Sequence, residues 1–248
     1  MNDSAKKLAT IEPPFIFKNG SVFNDPINIA YETLGTLNTK KNNAILVTTG
    51  LSPSAHIASS IEDNSPGWWE SIVGKDKPID TSQYFVICVN SLGSCFGSSG
   101  PSSEDPKSGK KYRLSFPEIS IEDIASSIKP VIDGLGIERL KAIVGPSMGG
   151  MTALSLIKQF PGITDDLVLI SAASSSRPFS IALRSLQRSM ITSDPLWEQG
   201  NYNQDDLPLE GMKHARFLGM ITYRSPTEWN KRFGRKSVSY THLTLPTK

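Results

Sequence analysis

Cysteine is almost absent, with Cys88 and Cys95 the only two in 248 residues. Two thiols are too few for a disulfide framework or a cysteine-based metal cluster, so a reducing compartment is expected and no bound metal. Charge of one sign is equally scarce. The chain carries 26 basic and 24 acidic residues, a net charge of +2, which leaves no broad electrostatic footprint for nucleic acid or an anionic membrane. Any anionic ligand must then be met by local side chains. No run of about eighteen apolar residues occurs, so no membrane-spanning helix is expected. The polar start Met1-Asn2-Asp3-Ser4-Ala5-Lys6-Lys7 has no apolar signal-peptide core behind it, which predicts a cytoplasmic protein. Histidine is limited to His56, His214 and His242. What remains is an ordinary globular composition, 38% hydrophobic and 20% charged, long enough for one large α/β domain plus an insertion.

The chemistry concentrates in the stretch from Leu140 to Leu154, an apolar run that breaks at glycines around one serine and resumes as helix formers. It reads as strand, sharp turn, helix. Gly145-Pro146-Ser147-Met148-Gly149 matches a nucleophile elbow, in which a strained turn presents the serine hydroxyl at the top of a sheet. The two flanking glycines have a steric reason, since a Cβ at either place would collide with the neighbouring strand or helix. The Met148 amide falls in the first helical turn, where unsatisfied N–H groups and the helix dipole favour negative charge, and so supplies half of an oxyanion hole. The plain alternative is a Gly/Ser loop between two core elements.

In chain order, Ile27–Thr33 alternates apolar and polar residues and predicts an early antiparallel strand with one wet face. Ala44–Thr49 is a short continuous apolar run, as in a strand buried on both faces, and leads into Gly50-Leu51-Ser52-Pro53-Ser54-Ala55-His56. Such a loop supplies the second oxyanion amide of an α/β-hydrolase, here that of Leu51. Trp68 and Trp69 read as a packed corner, or alternatively as part of a ligand wall. Tyr84–Asn90 is another buried strand, followed by a polar loop from Ser91 to Pro117 long enough to suggest that it builds a site. Ser120 with Asp123 resembles a capping box opening a helix to about Leu135, with Pro130 expected to kink or break it. Leu167–Ser171 is the next strand. The recurrence of strand and helix from Ala44 to Ser171 predicts a mostly parallel, doubly wound sheet. From Pro178 only helices are expected, with Ile181, Leu186 and Met190 near one face and Arg184 and Arg188 on another. An arginine pair is commonly a solvated face, yet it can also receive a carboxylate or phosphate.

Three motifs in order carry a family resemblance: the segment Asn90–Ser103 (Asn-Ser-Leu-Gly-Ser-Cys-Phe-Gly), the Gly-Pro-Ser-Met-Gly-Gly-Met elbow, and Ala215–Ser225 (Ala-Arg-Phe-Leu-Gly-Met-Ile-Thr-Tyr-Arg-Ser). From about Phe15 to Arg235 the chain resembles the homoserine O-acetyltransferase family, α/β-hydrolase-fold acyltransferases of methionine and cysteine biosynthesis. The resemblance implies a ping-pong transfer in which Ser147 takes the acyl group of succinyl-CoA or acetyl-CoA and passes it to the hydroxyl of serine or homoserine. It makes these small molecules the partners, with no bound cofactor, no nucleic acid and no membrane, and a homodimer for a full-length member. Arg216 falls on the family's substrate-binding arginine. Ser94-Cys95 and Arg184 depart from the acetyl-transferring members, and a cation at Arg184 suits a succinyl carboxylate. The loop residues Ser52, Pro53, Ser54 and Ala55 look like those of the serine or homoserine O-succinyltransferases.

The resemblance divides the chain into an N-terminal part of the core (1–176), a partial helical cap (177–235) and a tail (236–248) that matches nothing in the family. The tail is expected to be non-native, similar to translated sequencing-adapter read-through. The family's triad Asp and His lie beyond the region covered, so none of the three histidines is assigned a catalytic role and the C-terminal part of the core is expected to be missing. Two other readings stay open, an α/β-fold esterase and a catalytically silent fragment.

Overall fold

The apolar runs Ala44–Thr49 and Tyr84–Asn90 lie side by side at the centre of the sheet. The computed structural model describes residues 4–202 and 205–234. Its strands are β1 (Lys7–Ile11), β2 (Ile27–Leu34), β3 (Ala44–Thr48), β4 (Phe85–Val89), β5 (Leu140–Pro146) and β6 (Thr164–Ile170). They form a six-stranded sheet in the order β1-β2-β4-β3-β5-β6. Neighbours among β4, β3, β5 and β6 pair in parallel, while β2 is antiparallel to both β1 and β4. The mostly parallel sheet of an α/β-hydrolase fold, expected from the alternation of strand and helix, is what the chain adopts.

Every residue of β3 and β4 is buried. Leu46 and Ile87 face the helices α1 (Ile121–Gly134) and α2 (Met148–Gln159), joining Ile124, Ile128 and Leu156 in one core cluster. Ile45, Val47, Val86 and Cys88 face the other way, against Ile57, Ala58 and the indoles of Trp68 and Trp69. Burial on both faces is why these strands are apolar throughout. Two helices across one face also satisfy the rule that parallel strands need crossovers.

Helix α1 begins where the sequence places it. Ser120 accepts from the Asp123 amide and the Asp123 carboxylate accepts from the Ser120 amide, a complete capping box. The expected break at Pro130 is absent, since the helix runs through it to Gly134. Gly136, just beyond, has φ +66, a left-handed conformation that glycine tolerates at a helix end.

Two expectations need correction. Strand β2 has no wet face: Asn28, Tyr31 and Thr33 are half-buried and Glu32 is 5% exposed. The reason lies in the loop after β4. The Ser99 amide donates to the Asn28 carbonyl (2.7 Å) and the Ala30 amide donates to the Ser98 hydroxyl (3.0 Å), so this loop closes onto the strand. The segment Ser91–Pro117 is therefore not one open loop, and it also contains a short hairpin (Glu104–Asp105 with Lys110–Lys111).

The chain divides into two compact units, Met1–Ser175 and Ser176–Lys248. Within the second unit, α3 (Pro178–Thr192) packs on α4 (Leu209–Thr222), and α5 (Pro226–Phe233) follows. On α3 the three apolar residues expected near one face differ in burial, Met190 being half-buried. Ile181 and Leu186 are 53% and 48% exposed, while Gln187 turns toward α4 and donates to the Ala215 carbonyl (2.7 Å). Gly211 and Gly219 leave room for this approach: a Cβ on Gly211 would lie 2.5 Å from the Met190 carbonyl oxygen. The tail expected to be non-native lies outside the described residues, as does His242. No helix among the described residues is long and apolar enough to cross a membrane.

Candidate active site

The elbow forms because β5 ends and α2 begins with a single residue between them. That residue is Ser147, with φ +55 and ψ −122. A positive φ is costly for a residue with a side chain, and three features hold it. The Ser147 amide donates to the Ile170 carbonyl (2.9 Å), fixing the turn to β6. The Gly150 amide donates to the Ser147 carbonyl (3.0 Å). Thr48 donates its hydroxyl to the Gly149 carbonyl (2.8 Å), tying the first turn of α2 to β3. The flanking glycines are sterically required. A Cβ on Gly145 would stand 2.6 Å from the Gly150 Cα, and one on Gly149 would stand 2.0 Å from the Thr48 carbonyl oxygen.

Ser147 is exposed, and no side chain among the described residues hydrogen-bonds its hydroxyl. Met148 is the first residue of α2, so its amide has no acceptor within the helix and lies at the positive end of the dipole. The Gly50–Ala55 loop comes against the turn from the other side. A Cβ on Gly50 would be 4.0 Å from the Ser147 Cβ and 3.7 Å from the Pro146 carbonyl oxygen. Leu51 follows directly, its side chain 69% exposed.

The loop from Ser52 to Ala55 is held by Asn90 and Trp68, whose hydrogen bonds to it the sequence does not reveal. Asn90, fully buried at the end of β4, donates its side-chain amide to the Pro53 carbonyl (3.4 Å) and to the Ser94 hydroxyl (3.0 Å). Trp68 donates its indole N–H to the Ser54 carbonyl (3.0 Å). This indole also lines a cavity of about 310 Å³ beside Pro53, Ser54, Ala55, His56 and Phe96. Trp68 and Trp69 stack at 5.2 Å and an interplanar angle of 15°, so the pair is both a packed corner and, through Trp68, a cavity wall.

His56 is engaged through both ring nitrogens. Its Nδ1 lies 3.0 Å from Glu32 Oε2 and 3.8 Å from Asp63 Oδ2, and its Nε2 lies 2.8 Å from the Ser65 carbonyl oxygen. Burial, the largest single effect on this ring, lowers its affinity for a proton, but the Ser65 carbonyl, Glu32 and Asp63 together outweigh it and the net shift is upward. Hydrogen bonds from the amide and hydroxyl of Ser65 hold the Asp63 carboxyl below its ordinary range. Nothing in the spacing of these residues announces the cluster. The one available signal is Glu32, a carboxylate between Ala30 and Leu34 on one face of a strand.

In the second unit, Arg184 donates to Gln187 (2.7 Å) and lies over the Tyr223 ring, 5.9 Å from its centroid. Arg216 is exposed on α4, and its guanidinium makes no hydrogen bond or ion pair among the described residues. His214 contacts the Phe217 ring at 6.3 Å. Of the two cysteines, Cys88 is buried and Cys95 exposed.

A serine on a positive-φ turn between a parallel strand and a helix, with a second loop closing on it, defines the class. The chain belongs to the alpha/beta hydrolase fold family, whose profile matches residues 45–247. Two relatives sharpen the comparison. An L-serine/homoserine O-acetyltransferase of Streptomyces lavendulae is 56% identical over 210 residues, covering 85% of this chain and 56% of that protein. A serine O-succinyltransferase of Xanthomonas campestris pv. campestris is 53% identical over 229 residues, covering 92% of this chain and 60% of that protein. Among solved structures, a homoserine O-acetyltransferase from Bacillus anthracis superposes with a TM-score of 0.83 at 29% identity, over 94% of this chain and 64% of that one. Esterase E22 superposes at 0.81 with 30% identity, over 98% and 69%. The resemblance seen in the three motifs is thus borne out. The chain spans between half and two thirds of the length of these two curated relatives (56% and 60%).

Proposed function

We propose that this chain carries the nucleophile portion of an acyl-CoA-dependent O-acyltransferase. Ser147 Oγ attacks the thioester carbonyl of succinyl-CoA or acetyl-CoA, forming the Oγ–C bond. The carbonyl oxygen becomes an oxyanion received by the Met148 and Leu51 amides. Collapse breaks the C–S bond, CoA leaves as its thiol, and the hydroxyl of serine or homoserine then attacks the acyl-serine and restores Ser147. Splitting the transfer in this way replaces one difficult step by two easier ones. The observation that carries the reading is Ser147 itself, exposed at φ +55 on the turn between β5 and α2. The O-acyltransferase names of two relatives at 53% and 56% identity support it.

The first step needs a base for the Ser147 proton. The family resemblance puts the triad Asp and His in the part of the relatives that this chain does not span. A serine without its base is a weak nucleophile, so acylation of this chain is expected to be slow. Intact-mass measurement after incubation with acyl-CoA tests the reading: a slow adduct on the wild-type chain, lost in Ser147→Ala, supports it, and an adduct that persists in the alanine variant removes Ser147 as nucleophile.

The acyl group and acceptor are assigned through two arginines. Arg184 receives the distal carboxylate of a succinyl group, and Arg216 the α-carboxylate of the amino acid. In a chain completed with the C-terminal portion of a relative, Arg184→Asn should lower succinyl transfer by roughly one to two orders of magnitude, the value of a charged hydrogen bond of about 1.5 to 3 kcal/mol, and leave acetyl transfer nearly unchanged. Arg216→Ala should weaken acceptor use with either donor. The structural likeness to an esterase favours a second reading, with water as acceptor, and CoA release that needs no added amino acid would establish it.

A further inference from the structure

We propose that His56 is a positioning residue for the site, an imidazolium that ties the loop bearing Leu51 and Ser52–Ala55 to strand β2. The inference rests on the reading of that loop as oxyanion and specificity loop. Its physical basis is the count of protons around one ring.

A neutral imidazole has a single N–H. Here Nδ1 faces the Glu32 carboxylate at 3.0 Å and Nε2 faces the Ser65 carbonyl at 2.8 Å. Both partners are acceptors only, so both contacts are hydrogen bonds only when the ring carries both protons. The Ser65 hydroxyl lies 3.2 Å from Nε2, and because it gives its own proton to the Asp63 carboxylate it meets the ring as a third acceptor. A neutral ring at this place would set a nitrogen lone pair against a carboxylate or a carbonyl, with the 13% exposure of the His56 side chain leaving little water to intervene.

The charges around the ring agree with this count. Glu32 faces it from β2 and Asp63 from its own loop, with Asp63 Oδ2 3.8 Å from Nδ1. Lys6, before β1, lines the same cavity. Cys88 comes from β4, where burial and then the charge of Glu32 push its thiol well up, so it stays neutral. With the ring protonated, two nearly buried carboxylates share one cation. Loss of that proton leaves two like charges in a space with little solvent.

The ring closes one side of a loop fastened at other points by groups that do not titrate near neutrality. The Glu70 carboxylate accepts from the Ser59 amide (2.8 Å), the Ser59 hydroxyl (2.8 Å) and the Gly67 amide (3.0 Å), which hold its pKa down to about 2. Asn90 and Trp68 hold Pro53 and Ser54. Among the described residues, His56 is what links the loop to β2 through a charge that changes in the physiological range. Because its proton is held more tightly folded than unfolded, its contribution is complete below its ordinary value of about 6.5 and fades as pH rises through the raised one.

The test uses the chain as it exists. Long-range proton–nitrogen NMR of the ring, assigned through His214→Asn and His242→Asn, should show both nitrogens of His56 protonated at pH 7 and a midpoint above 6.5. Hydrogen exchange is then followed against pH at the Trp69 amide, which donates to the Ile57 carbonyl at 2.9 Å. Corrected for intrinsic rates, its protection should fall roughly tenfold or more as His56 deprotonates, while amides of β3 and β4 keep theirs. Glu32→Gln should lower the midpoint and loosen the loop at neutral pH. A fluorophosphonate probe adds the link to the site: labelling of Ser147 should slow over the same pH range in which the loop loosens, against the usual rise of serine reactivity with pH. A ring that is neutral at pH 7, or loop protection and labelling indifferent to its titration, overturns the proposal. The pH series needs no variant, so it decides even where Glu32→Gln does not fold. Absence of any labelling bears on Ser147 as nucleophile alone, and exchange at the Trp69 amide then decides the positioning role, whereas labelling with a neutral His56 overturns the positioning role alone.

Discussion

Strands β3 and β6 flank the same neighbour, β5, and carry comparable apolar runs, yet they end in different surroundings. All five residues of β3 are buried, whereas Val168, Leu169 and Ile170 of β6 are 45%, 39% and 39% exposed. Residue type does not explain this. β3 pairs on both edges, with β4 and β5, and is covered on one face by α1 and α2 and on the other by Ile57 and the tryptophan corner. β6 pairs only with β5 among the described residues. An apolar run therefore specifies an extended segment suited to a buried sheet, and its burial depends on neighbours supplied from elsewhere.

The largest test of this difference is truncation of a side chain on each strand. Leu46→Ala should cost about 2 to 5 kcal/mol, from lost transfer energy and the cavity left behind. Leu169→Ala should cost less than about 1 kcal/mol, because the site is already partly open to water. Urea denaturation followed by circular dichroism measures both, and equally small losses at the two positions would show that the β3 core is not tightly packed.

A second comparison concerns glycines. Gly149→Ala should cost about 3 kcal/mol, since its Cβ would meet the backbone of β3 and neither α2 nor β3 can retreat without breaking the elbow. Gly134→Ala, at the last turn of α1 with open space around it, should be neutral or stabilising by up to about 1 kcal/mol. A small loss for Gly149→Ala in the same denaturation assay would mean that the elbow is looser than its geometry implies.

The smallest expected effect is at the N-terminus of α1. Ser120→Ala removes the side-chain half of the capping box and should cost about 1 kcal/mol. Helix α3 provides the contrast. Its N-cap residue, Arg177, makes no side-chain cap, so Arg177→Ala should change stability by less than about 0.5 kcal/mol. A cost at Arg177 as large as at Ser120 would show that the end of α3 is held by something other than capping.

Several elements were legible in the residues themselves. The capping box at Ser120 and the elbow at Ser147 are local devices, each complete within a few positions, so spacing alone exposes them. The face of α3 was not legible, because Gln187 rather than Leu186 meets α4 where Gly219 leaves space for it. Nor was the closure of β2, which depends on Ser98 and Ser99 returning from about seventy positions away (separations of 68 and 71).

By itself the sequence determined the parallel strands, the two crossover helices and the turn at Ser147. Strand and helix periodicity and the steric demand for glycine beside a tight turn are properties of short segments. Only the tertiary structure decided which apolar runs are covered and which groups face His56. His56 meets Glu32 across 24 positions, and the raised proton affinity that follows comes from facing acceptors that outweigh desolvation, an arrangement that exists only once the chain has folded.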